Sequence, residues 1–145
     1  MFLHKLLVLA TALVLALTNV VRAEDPPPYL FQWGGLNTPV GIALDAIGNV
    51  FIGDYYNERV AKFTHDGTFL LDWNHGDRPF WGTNEVAIDV AGDVYVLQQY
   101  YREVMKFAPD GTFLMKWGSQ GNGDGQFDQV TGIFIDSNDM VYVVD

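Results

Sequence analysis

Hydrophobic residues in this chain come in short runs of β-branched and aromatic side chains, and each run is cut off by a turn-forming pair. Val50-Phe51-Ile52, Arg59-Val60-Ala61-Lys62-Phe63 and Phe69-Leu70-Leu71-Asp72-Trp73 are short β-branched and aromatic runs that fit antiparallel strands. Between them stand Gly48-Asn49 and Asp66-Gly67, and later Gly92-Asp93 and Asp110-Gly111. Such pairs supply the positive φ angles of tight hairpins. The pattern predicts four antiparallel strands: a over Gly41–Asp45, b over Asn49–Gly53, c over Arg59–Phe63 and d over Thr68–Trp73. No sustained 3.6-residue period follows residue 23, so no substantial helix is expected in the mature chain.

The pattern repeats. Val60–Trp73 (VAKFTHDGTFLLDW) lies over Val104–Trp117 (VMKFAPDGTFLMKW) at an offset of 44, with nine identities in fourteen positions. The same offset sets Leu44-Asp45 over Ile88-Asp89 and Val50-Phe51-Ile52 over Val94-Tyr95-Val96. A third copy begins at Gly132–Asp136 and Met140–Asp145, offset by 47 from the second. A period of about 40–45 residues carrying four short strands is that of propeller blades.

Pro39–Asp45, Val50–Asp54, Asn57-Glu58-Arg59-Val60 and Lys62-Phe63 together resemble the NHL repeat, as does Gly118–Phe127 leading into Thr131-Gly132-Ile133. The resemblance covers nearly all of Tyr29–Asp145 and implies a β-propeller, usually six-bladed, of four-stranded blades around a central channel. The expected fold is therefore all-β, with about 2.5 blades present (39–73, 84–117 and a partial 131–145). Tyr29-Leu30-Phe31-Gln32-Trp33 matches the d strands and is expected as an outermost strand over 29–34, giving a propeller region of 29–145. Six blades need roughly 260 residues, so either the chain continues into further blades or several copies close the ring. Because the repeat stops inside a blade, the first is the expectation.

The opening residues read differently. Lys5 precedes an apolar run from Leu6 to Leu17, and Val21-Arg22-Ala23 closes it, so residues 1–23 are expected to be a cleaved signal peptide and 24–28 a Pro-rich spacer. The expected location is secreted or periplasmic, with membrane contact only in transit. The chain has 8 Lys+Arg against 18 Asp+Glu, and Lys5 and Arg22 fall in the leader. A surface this acidic repels phosphate backbones, which removes nucleic acid from the expected partners. With no cysteine, disulfides, thiolate metal sites and thiol nucleophiles are excluded.

Strand order places the irregular d–a and b–c connections on one face and the short a–b and c–d turns on the other, where little room for a site is expected. On the first face stand Tyr55, Tyr56, Arg78, Phe80, Trp81, Tyr100, Tyr101 and Arg102. These are residue types that dominate binding hot spots, and they are the candidate surface for a protein, peptide or carbohydrate. The competing reading has the tyrosines propping blade against blade and Trp81 plugging a loop. Asp54, Asn57 and Arg59 are replaced together in the second repeat by Gln98, Tyr101 and Glu103, which points to a structural brace of the b–c turn. Gly121–Asp128 has only two carboxylates and no Glu at the twelfth position, so it is no EF-hand loop and reads as a glycine-rich link. His65 and His75 belong to opposite faces, so they cannot share a metal. The amidating lyases that resemble NHL proteins hold their metal through histidines beside the Pro of strand a. Here Val40, Asn84–Glu85 and Thr131 occupy those places. Ser119 and Ser137 lack a nucleophile-elbow context.

No catalytic residue, metal site or cofactor is therefore expected in the residues present, although calcium or zinc in a complete ring stays open. The reading is an extracytoplasmic binding scaffold. The alternative is part of a propeller enzyme, a metal-dependent lyase or lactone hydrolase, with its catalytic residues in other blades.

Overall fold

The computed structural model describes residues 32–76, 80–81 and 83–145, so the leader, the spacer, Tyr29–Phe31 and Arg78 lie outside the described residues. Among the described residues, ten strands form three antiparallel sheets. The first blade is β1 (Pro39–Leu44), β2 (Val50–Asp54), β3 (Arg59–Phe63) and β4 (Phe69–Trp73), hydrogen-bonded in chain order. The second is β5 (Thr83–Ile88), β6 (Val94–Gln98), β7 (Glu103–Phe107) and β8 (Phe113–Trp117), in the same order. β9 (Gly132–Ile135) and β10 (Val141–Val144) pair as a two-stranded sheet. Among the described residues the only helical piece is a single 3₁₀ turn, Tyr55–Asn57.

Strand boundaries differ from the sequence pattern for a local reason. Strand a runs from Pro39 to Leu44 rather than from Gly41 to Asp45, and b from Val50 to Asp54 rather than from Asn49. Asp45 and Asn49 leave the ladder because the Asp45 carboxylate accepts the amides of Ile47 (3.1 Å) and Asn49 (2.8 Å) and the Asn49 side chain (2.8 Å). Asp89 and Asp136 do the same work in the other blades, accepting the amides of Asp93 (2.9 Å) and Met140 (3.0 Å). Each turn is closed by an i→i+3 backbone bond of 3.0 Å onto a residue with positive φ: Gly48, Gly92 or Asp139. At the other end, Pro39 pairs with Asp54 across an irregular register, which extends strand a backward.

Period-two alternation assigns each sheet face to a different neighbour. Phe51, Val60 and Trp73 of the first blade pack on Val86, Val94, Val96, Met105 and Phe107 of the second. The second blade's other face, with Ala87, Tyr95, Leu97 and Val104, packs on Ile135, Ile133, Val141 and Val143. Because both faces of the middle strands are covered, β2 and β6 are buried along their whole length. Trp33 and Leu36 pack on Val50, Ile52, Ala61 and Phe63, on the first blade's remaining face. The Trp33 and Phe63 rings lie 6.2 Å apart at 57°, while Trp73 and Phe107 lie 6.1 Å apart at 56°. Phe63 and Phe107 are repeat-equivalent, so Trp33 sits on the first blade as Trp73 sits on the second. Gln32 and Trp33 are not themselves in a strand.

Among the described residues, Ile42 and Leu44 on one end and Phe134, Tyr142 and Val144 on the other are exposed, Leu44 by 62% and Phe134 by 64%.

Candidate functional site: an aromatic cleft between two blades

β2 ends at Asp54 and β6 at Gln98, and from each the chain turns back through a b–c connection bearing tyrosines. In the first blade the turn is the 3₁₀ segment Tyr55–Asn57, closed by Glu58 in the left-handed region at φ 53°. Arg102 holds the same conformation in the second blade, at φ 55°. These turns, with Trp81 from the β4–β5 link, border a cleft of about 240 Å³ lined by Tyr55, Tyr56, Glu58, Trp81 and Tyr100.

The rings stand as walls. Tyr55 and Tyr56 meet edge to face at 5.0 Å and 87°, and Trp81 and Tyr100 at 5.4 Å and 78°. Edge-to-face contact is a favoured aromatic arrangement, and here it sets neighbouring rings perpendicular. The Trp81 Nε1–H donates to Glu58 Oε1 at 2.7 Å, which ties the link to the first b–c turn. Trp81, Tyr56 and Tyr100 remain 47%, 65% and 58% exposed, so the cleft is open to solvent.

The structure sorts the sequence candidates. Tyr55, Tyr56, Trp81 and Tyr100 come together. Tyr101 lies edge-on to Tyr100 at 5.1 Å but does not line the cleft. Arg102 is turned onto backbone, its Nε donating to the Asp128 carbonyl (2.7 Å) and an Nη1–H to the Tyr100 carbonyl (3.2 Å). Phe80 is a correction: it is buried in the core between the two blades, 5.7 Å from the Phe107 ring, and offers no surface for a partner. The sequence reading missed Glu58. Its signal was its place in the b–c turn, two residues after Tyr56 and opposite Arg102 in the repeat alignment.

Beneath the cleft lies a polar frame. Asp54 is fully buried, and its carboxylate accepts the Asn37 amide (2.7 Å), the Asn57 side chain (2.7 Å) and Arg59 Nε (2.9 Å). Arg59 also pairs with Asp72 and donates to the Gly35 carbonyl (2.8 Å). Asp145, the third repeat's equivalent of Asp54, accepts the amides of Asp128 (2.9 Å) and Gln129 (2.7 Å). In the second blade the charges are reversed, with Lys116 reaching Glu103 at 3.4 Å where Asp72 meets Arg59.

On the opposite face, the expectation of little room is corrected. The turns are short, but the groove between those of neighbouring blades is a depression of about 420 Å³, lined in part by Asp45, Ile47, Lys62, Asp89 and Val90. Beside it the Asp89 carboxylate accepts Lys106 Nζ (3.0 Å) and the Tyr95 hydroxyl (3.1 Å), and Lys106 also reaches Asp93 at 2.9 Å. Burial pushes the Asp89 carboxyl up, but the Lys106 ammonium, the Asp93 amide and the Tyr95 hydroxyl outweigh it and hold the group below its ordinary value. On β5, an inner strand, burial raises the Glu85 carboxyl.

The glycine-rich link is closed by its own bonds: Phe127 N–H to the Ser119 carbonyl (2.8 Å), Gly121 N–H to the Phe127 carbonyl (3.0 Å) and Gly123 N–H to the Gln126 side chain (3.0 Å). His65 packs beside the first a–b turn at Gly48, and His75 stacks on Phe113 at 4.9 Å. Among the described residues, no three His, Asp or Glu side chains converge to hold a metal ion.

No protein-family model matches the chain, and no curated protein matches its sequence. Solved structures do match its shape. A catalytically inactive variant of virginiamycin B lyase from Staphylococcus aureus, solved with quinupristin, has a TM-score of 0.58 at 13% identity over 73% of this chain and 34% of that one. Hydrazine synthase of Kuenenia stuttgartiensis has a TM-score of 0.61 at 15% identity over 83% of this chain and 32% of that one. A streptogramin B lyase has a TM-score of 0.51 at 14% identity over 74% and 40%. This chain therefore spans only about a third to two-fifths of those proteins. At such identities the likeness shows the fold, a β-propeller, and nothing of the chemistry.

Proposed function

We propose that the chain is the blade-bearing part of an extracytoplasmic NHL-type propeller whose role is binding, with the aromatic cleft as its ligand site. The repeat motifs and the leader support the first half. The observation that carries the second is that four rings and a carboxylate from three separate chain segments meet at one open cleft. Rings that served only as blade props would be covered by the neighbouring blade, as Phe80 and Phe107 are. Rigid scaffolds commonly place binding groups on such inter-strand loops. The enzyme alternative, a metal-dependent lyase or lactone hydrolase, draws only on the likeness of fold.

An NMR screen tests the proposal. A panel of neutral sugars, short peptides and small ammonium compounds is added to the full chain while the indole N–H signals are followed. The expected outcome is at least one compound that shifts the Trp81 signal and loses that effect in Tyr100→Ala. A panel that leaves Trp81 still, or acts equally on the variant, overturns the binding role of the cleft.

A further inference from the structure

The geometry points to a methylated ammonium group as what the cleft takes, a deeper claim that rests on the cleft being a ligand site. Three observations carry it.

The first is shape. A sugar ring stacks best on a flat aromatic platform, but the rings here stand at 87° and 78° within each pair around an open cleft. A volume of about 240 Å³ is below the usual range for a drug-sized ligand, so the cleft suits one compact, rounded group, either a small molecule or the end of a larger one. A trimethylammonium group is compact and tetrahedral, and presents methyl groups to every wall.

The second is charge. Ring faces are negative, and a cation over them is attracted, with tryptophan the strongest partner. Glu58 adds a full carboxylate, whose Oε1 accepts the Trp81 N–H at 2.7 Å. Arg102, the nearest arginine along the second b–c turn, has its guanidinium on two backbone carbonyls. The chain's net charge of −10 favours the approach of a cation.

The third is hydration. A bare ammonium holds its water strongly and needs several acceptors to replace it, which one carboxylate oxygen does not supply. Methylation removes those donors and leaves a weakly hydrated charge suited to aromatic walls.

Choline and its neutral carbon isostere, 3,3-dimethyl-1-butanol, separate charge from shape. Both are titrated into the full chain with the Trp81 indole signal as readout. Choline is expected to bind about tenfold tighter than the alcohol. Glu58→Gln keeps an oxygen to hold Trp81 but removes the charge; it is expected to weaken choline about fivefold and leave the alcohol unchanged. Equal affinity of the two compounds overturns the cation assignment and leaves the cleft as an apolar ligand site. If neither shifts Trp81 although panel compounds do, the cation assignment also fails while the binding role stands. If nothing in the panel shifts it, both fail. Co-sedimentation with phosphatidylcholine vesicles, against phosphatidylglycerol controls, separates the two sources of the group. Pelleting assigns it to a lipid headgroup, and choline binding without pelleting assigns it to a free ligand.

Discussion

Single atoms set how closely the blades approach. The Trp73 side chain occupies the space that a Cβ on Gly111 would need, with Cγ at 2.8 Å, and Gly111 has φ +86°. Both the turn and the neighbouring blade therefore require glycine there. Gly76 has a similar φ of +83° but nothing within 4 Å of its missing Cβ. Gly111→Ala is expected to cost about 3 kcal/mol and Gly76→Ala about 1 kcal/mol, the difference measuring inter-blade packing rather than backbone preference. Urea unfolding of the two variants checks this. Equal midpoints would mean that Trp73 is free to move aside.

Within a blade, the repeat preserves a device rather than a residue. Asp54, Arg59 and Asp72 of the first blade become Gln98, Glu103 and Lys116 in the second, so the ion pair between strands c and d survives with its charges exchanged. In sequence the change at Asp54, Asn57 and Arg59 reads as joint loss, because the compensating position lies thirteen residues beyond Arg59, on the next strand. Only the pairing of β3 with β4 shows the compensation. Arg59→Glu alone sets a third carboxylate between Asp54 and Asp72. Since Asp54 is fully buried, the expected loss is about 3 kcal/mol. The Arg59–Asp72 contact is partly exposed and contributes little of this. The triple change Asp54→Gln, Arg59→Glu and Asp72→Lys is expected to recover most of the loss, as non-additivity in urea unfolding. Additive losses would show that the two blades are braced by different means.

At the scale of the molecule, apolar side chains are exposed at both ends of the described blades. Ile42 and Leu44 face outward on one end, Phe134, Tyr142 and Val144 on the other, and β9 and β10 form a sheet of only two strands. Bare sheet faces and unpaired edges favour association. The chain by itself is expected to self-associate with rising concentration in sedimentation velocity, and Leu44→Lys with Val144→Lys to reverse this. A well-folded monomer at every concentration would contradict it.

How much was legible beforehand follows from the range of the forces involved. Short β-branched and aromatic runs and Asp-Gly pairs act over a few neighbours, and the 44-residue offset repeats them, so strands, turns and blades could be read from the sequence, whereas the two-sided burial of β2 and β6 came from the packing of neighbouring blades. Asp45 and Asn49 were misplaced by one residue because side-chain capping competes with the ladder at a strand's end. The gathering of Tyr55, Tyr56, Trp81 and Tyr100 around Glu58, the burial of Phe80 and the turning of Arg102 onto backbone depend on how one blade's loops lie against the next. That is set by the packing of Trp73 and Phe107 between sheets, a contact between residues 34 positions apart. The sequence by itself determined the unit, its repetition and the recurring contacts between sheets; the tertiary structure decided which loop side chains meet at the cleft, because those residues differ from one repeat to the next, Tyr55 standing against Gln99 and Glu58 against Arg102.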